Sequence, residues 1–193
     1  MILARLTTLP RALLAAITLL SFALPSGAGQ AVAELAKPGR LLMLRHATAP
    51  GNGDPPGFRI DDCATQRNLD AEGRRQAAEL GQRLARGGIV RARVYSSQWC
   101  RCLETARLLG LGPVEPLPAL NSFFPRPEDR DARLAKLREF LARLPADGLP
   151  VVLVTHQFTI TAFTAGPTAS GGGSLFQLNG TGNPRWLGTL ADP

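Results

Sequence analysis

Histidine is scarce in this chain of 193 residues: only His46 and His156 are present. Cysteine occurs three times, tryptophan twice and tyrosine once. Of the 22 basic residues, all except Lys37 and Lys136 are arginine. Each shortage excludes something. No apolar run reaches the ~20 residues that span a bilayer, so no stable membrane span is expected. Three cysteines and two histidines, widely spaced, are too few for a zinc centre, and no metal or cofactor is expected. The basic residues are interleaved with acids and form neither a dense stretch nor a series with aromatics, which argues against a nucleic-acid partner. No cysteine precedes Cys63 to accept a lipid anchor, and Arg5 and Arg11 are not adjacent, so a twin-arginine signal has no support.

A leader pattern is present at the N-terminus. Arg5 and Arg11 precede the apolar stretch 12–24, Pro25 ends it, and small residues follow. This is the pattern of a secretory signal peptide, with cleavage expected after Ala28 or after Ala33. The expected organisation is therefore residues 1–33 as leader and 34–193 as one domain, periplasmic or secreted. Export makes a disulfide plausible in chemical terms. Cys100 and Cys102 lie two apart on different faces of a helix and should not pair. A bridge from Cys63 to one of them would be worth roughly 4 kcal/mol by chain entropy; three unbridged thiols are the alternative.

Along the domain, apolar runs and helical periods alternate. Strands are expected at 40–45, 92–96, 114–117 and 150–155, with helices over 70–86, 97–109, 129–144 and 157–165. Residues 174–178 and 185–190 read as a hairpin turning at Asn179-Gly180. Buried strands alternating with helices mean a three-layer α/β/α fold on a mainly parallel sheet. The Gly/Pro-rich loop 49–57 is too irregular for a simple strand-to-helix turn, and Gly171-Gly172-Gly173 reads as a flexible loop or an anion cradle.

Both histidines end apolar strands, on the edge where open α/β sheets build their sites. Arg45 precedes His46, and a third strand-to-helix junction brings Arg101. Two imidazoles and two guanidiniums at one sheet edge suit phosphoryl transfer.

Four segments also match a known pattern. Leu41 to Asn52, Arg67 to Ala77, Tyr95 to Ala106 and Val152 to His156 resemble, in order, the motifs of the histidine phosphatase superfamily, the phosphoglycerate-mutase-like clan. The resemblance implies that His46 is the nucleophile, forming a phosphohistidine that water hydrolyses. It implies that Arg45 and Arg101 clamp the phosphoryl oxygens and that His156 binds the same group from the far side. Asn52, Arg67 and Gln157 are candidate substrate-binding residues, although Arg67 has Asp62 as an alternative partner. The chain departs from the pattern in Ala47 and Gln157, each replacing a common glycine, and in lacking an acid within 120–124. Glu128, Asp129 and Asp54 are then the candidate proton donors. Without a donor, leaving groups that need little protonation would be favoured. The activity implied is that of a metal-independent phosphomonoesterase acting on a phosphorylated small molecule or phosphoprotein. A phosphohistidine or phosphoramidate protein phosphatase, and a non-catalytic phosphate-binding module, are the alternatives.

Overall fold

A computed structural model describes residues 27–190. In chain order it contains α1 (Gly27–Leu35), β1 (Arg40–Arg45), α2 (Ala71–Arg86), β2 (Arg93–Ser96), α3 (Cys100–Leu108), β3 (Val114–Pro116), α4 (Arg130–Ala142), β4 (Val151–Thr155), α5 (Gln157–Thr161), β5 (Gly173–Gln177) and β6 (Arg185–Leu190). The strands form one sheet in the order β3-β2-β4-β1-β5-β6. Strands β3, β2, β4 and β1 are parallel, and β5 and β6 add antiparallel at one edge. The layer assignment follows from the two-residue period of a strand. Leu42, Leu44, Val152 and Val154 pack with α1, α2 and α3 residues such as Leu35, Leu80 and Ala106. Leu41, Met43, Val151 and Leu153 point the other way, onto Leu137 and Leu141 of α4 and Ile160 of α5. Strands β1 and β4 are thus buried on both faces, which is why their sequences read as unbroken apolar runs.

Helix α2 begins where the sequence places it, because the Asp70 carboxylate accepts from Gly73 N at 2.7 Å. Two expected helix bounds are corrected. Helix α3 starts at Cys100 rather than at Ser97: Trp99 is extended, and the Ser97 hydroxyl accepts from Trp99 N at 3.3 Å while also meeting His156 and Asn121. Helix α5 stops at Thr161 rather than Ala165, with Thr161 and Thr164 hydroxyls bonded back onto the Gln157 and Ile160 carbonyls. Strands β5 and β6 form the expected hairpin, its connection 178–184 held by Asn179 bonds to Thr181 N and Asn183 O.

Residues 1–26 of the expected leader lie outside the described residues. The expected boundary at 33/34 falls inside α1, whose Ala31, Val32 and Leu35 are core residues. Among the described residues no helix is long and apolar enough to cross a membrane.

Candidate active site

The three central parallel strands carry the site on their C-terminal ends. Arg45 pairs with Thr155 and Ser96 with Val154, so His46, Ser97 and His156 follow on neighbouring strands at one level. The ladder continues one step past the strands, with His46 N donating to Thr155 O at 3.0 Å and Ser97 N to Val154 O at 2.9 Å. The two imidazole centroids consequently lie 5.5 Å apart, nearly edge to face.

His46 is 3% exposed, and its Nδ1 lies 2.8 Å from Ala47 O. A carbonyl only accepts, so Nδ1 carries the proton and Nε2 keeps its lone pair. Burial first, then the positive charge of Arg101, lowers its pKa from 6.5 to about 3, so the ring is neutral. His156 is lowered well below its ordinary value, again chiefly by burial and then by His46 and Arg101. Its Nε2 lies 2.9 Å from Ser97 Oγ, and Trp99 packs edge-on against the ring.

Three guanidiniums surround this pair. Arg45 donates Nη1–H to Thr168 O at 2.8 Å. Arg67 donates to Gly53 O at 2.8 Å and also to Ala49 O. Arg101 forms a bidentate pair with Asp54, at 2.8 and 3.2 Å, and reaches Arg67 O at 3.2 Å. Burial lowers the pKa of Arg45 and Arg67, and the neighbouring Arg101 charge lowers both further. The Nε–H groups of Arg45 and Arg101 are buried and have no hydrogen-bond partner among the described residues. Buried donors of this kind call for an acceptor, and three cations with one counter-charge call for an anionic one.

Around them is a cavity of about 460 Å³. It is lined by every catalytic and substrate-binding candidate read from the sequence: Arg45, His46, Arg101, His156, Asn52, Arg67 and Gln157. Arg67 joins the site, and Asp62 pairs with Arg59 instead. Of the candidate proton donors only Asp54 lines the cavity. Its oxygens accept from Arg101, from Trp99 Nε1 at 2.9 Å and from Arg67 N at 3.0 Å. Burial raises the Asp54 pKa, but those bonds and the Arg101 charge outweigh it and hold the carboxyl below its usual value. Asp54 is therefore an ionised acceptor, not a stored proton. Glu128 and Asp129 sit in a helical turn outside the cavity lining, and Asp129 is paired with Arg133 at 2.9 Å.

Several supporting residues were not legible as such. Thr105 accepts from Ala47 N at 3.0 Å and donates to Arg101 O at 2.7 Å, joining the two arginine motifs. Asn121 orients both Ser97 and Gln98. Both look like ordinary polar residues in sequence; only the meeting of distant segments gives them a task. Cys63 bridges Cys100, leaving Cys102 as a buried thiol whose pKa burial pushes up to about 12. Gly171 N and Gly172 O are bonded to His46 O and Arg45 N, so this glycine stretch extends the sheet edge. No group of three or more His, Cys, Asp or Glu side chains among the described residues is placed to hold a metal ion.

The strand ends, the paired histidines and the arginine cluster form one cationic site on a phosphoglycerate-mutase-like α/β fold. Residues 41–124 match the sequence model of the histidine phosphatase superfamily (branch 1). No curated protein matches the chain. Solved structures do. SixA of Agrobacterium tumefaciens is 21% identical, with a TM-score of 0.54 over 81% of this chain and 100% of that one. The protein histidine phosphatase SixA in complex with tungstate is 16% identical, with a TM-score of 0.58 over 79% and 96%. Mycobacterial glucosyl-3-phosphoglycerate phosphatase in complex with VO3 is 20% identical, with a TM-score of 0.54 over 79% and 98%. At these identities the likeness establishes the fold.

Proposed function

We propose that the protein is an exported phosphomonoesterase that works through a phosphohistidine on His46. One observation carries this reading: a neutral imidazole, its Nδ1 proton held by Ala47 O, stands among three guanidiniums in one cavity. In the first step the lone pair on His46 Nε2 attacks phosphorus, and the bond to the leaving oxygen breaks with its electron pair. Arg45, Arg101 and Arg67 hold the charge on the phosphoryl oxygens, where it is greatest in the transition state. The Arg45 and Arg101 Nε–H donors are the ones without another partner. His156, braced by Ser97, binds the group from the second strand. Water then attacks the phosphohistidine, releasing phosphate and restoring the imidazole. The guanidiniums supply the positive charge, so the scheme calls for no metal ion.

A phosphohistidine or phosphoramidate protein phosphatase is the second reading. The absence of a free acid among the cavity-lining residues favours it, as does the likeness to a protein histidine phosphatase. Export to the periplasm or beyond rests on the leader pattern and is supported by the Cys63–Cys100 disulfide. The packing of Val32 favours cleavage after Ala28.

The test is hydrolysis of an activated aryl phosphate with chelator present, beside His46→Ala, with acid-labile phosphate trapped on the protein. Activity and label in the wild type, both lost in the variant, are expected. Equal activity in both, or no label, would reduce the chain to a phosphate-binding module.

A further inference from the structure

The cavity has an outer wall that the phosphoryl chemistry leaves unused. Phe124, from the loop after β3, and Phe158, two residues past His156, stack with ring centroids 5.5 Å apart and planes 7° apart. Both line the cavity that holds Arg45 and His46, with Pro125 and Phe58 beside them. They are 53% and 49% exposed, while Phe123 next to Phe124 is only 7% exposed. The chain has turned one phenylalanine into the protein and the next into the cavity. Likewise Thr159 and Ile160 are buried directly after the half-open Phe158. Neither ring is core filler, and large aromatics left facing water at a cavity mouth mark a binding surface.

The cavity's acid points to the same class of ligand. Asp54 is the single carboxylate among the lining residues, and both its oxygens accept hydrogen bonds from Arg101, Trp99 and Arg67. It has no proton to give a leaving oxygen. An aryl oxide departs as an anion far more readily than an alkoxide, since a phenol ionises near pH ~10 and an alcohol resembles water at ~16.

Resting on the phosphatase reading, we propose that Phe124 and Phe158 form a leaving-group subsite, and that the substrate is a phosphate monoester of a phenol. The ring lies against the stack while the phosphate meets His46 and the arginines. The P–O(aryl) bond breaks as the His46 Nε2–P bond forms; the aryl oxide keeps the electron pair and takes its proton from solvent.

Binding separates the two ends of the cavity. Phenylphosphonate and methylphosphonate, whose P–C bonds resist hydrolysis, are titrated into the wild type, Phe124→Leu and Phe158→Leu by calorimetry. The methyl compound reports the phosphate end and the folded state of each variant. Phenylphosphonate should bind the wild type roughly tenfold more tightly than methylphosphonate, and each variant should lose most of that excess. Equal binding of the two compounds, no binding of either, or an excess that survives both substitutions overturns the subsite. Butyl phosphate hydrolysed as fast as phenyl phosphate overturns the leaving-group assignment. If phosphatase chemistry alone is wrong, the phosphonate preference persists without a phosphoenzyme on His46.

Discussion

Asp54 and Arg101 form a bidentate ion pair at 2.8 and 3.2 Å, with each side chain only 4% exposed. The pair spans 47 residues of sequence and ties the loop after β1 to the first turn of α3. It sets the direction of Arg101 and leaves the Arg101 Nε–H without a partner.

Asp54→Ala should cost about 3 kcal/mol in stability, because it strands a buried guanidinium. Asp54→Asn should cost less, since its carboxamide oxygen still accepts. If Asp54 only positions Arg101, Asp54→Asn should lower kcat by a similar factor for phenyl and butyl phosphate. A selective loss on butyl phosphate, with the basic limb of its pH profile removed, would instead make Asp54 the proton donor.

The buried histidines should make stability sensitive to acid. Unfolded, each takes up a proton near pH 6.5; folded, His46 does so only at about 3 and His156 is also strongly depressed. The unfolded state therefore binds more protons below 6.5. Stability is full above that pH and is lost as pH falls toward the folded values, with a slope of up to ~1.4 kcal/mol per pH unit for each histidine. Thermal melts from neutral to acid pH should show this decline, and His46→Gln should make it shallower. Parallel declines in the two proteins would mean that His46 titrates normally.

The Cys63–Cys100 bridge anchors the residue immediately before Arg101. Replacing both cysteines by alanine should lower stability by roughly 4 kcal/mol, given the length of loop closed. It should also weaken orthovanadate binding, because the loop carrying Asp54 and Arg67 loses its covalent tie to α3. Unchanged vanadate affinity in a destabilised variant would confine the disulfide to stability.

If the chain is exported as proposed, processing should leave an N-terminus at Gly29. Cleavage after Ala33 would delete Ala31 and Val32, both core residues. Burying a valine side chain is worth about 2 kcal/mol, so a chain expressed from residue 34 should melt lower than one from residue 29. Mass measurement of the secreted protein decides the site, and equal melting of the two chains would remove the packing argument for it.

Much was legible in the sequence because it is written locally. The apolar runs at 41–44 and 151–154 specify doubly buried strands, since only a two-sided core accepts such runs. Asp70 capped its helix as expected, because a cap is a bond between residues three apart. Arg45, His46, Arg101 and His156 could be picked out because each stands at a strand end or helix start. Ser97 misled for the same reason: a cap is the local use of a serine, whereas this hydroxyl, besides accepting from Trp99 N, meets His156 and Asn121, which are distant in sequence.

By itself, then, the sequence determined the alternation of strands and helices and the two histidine-bearing edges, through periodicity and burial acting over a few residues. Only the tertiary structure decided that Cys63 takes Cys100, that Arg67 joins the cavity, that Asp54 is an acceptor locked onto Arg101, and that Phe124 meets Phe158. Those outcomes depend on which distant segments the sheet order brings together, and on the desolvation and charge that their meeting creates.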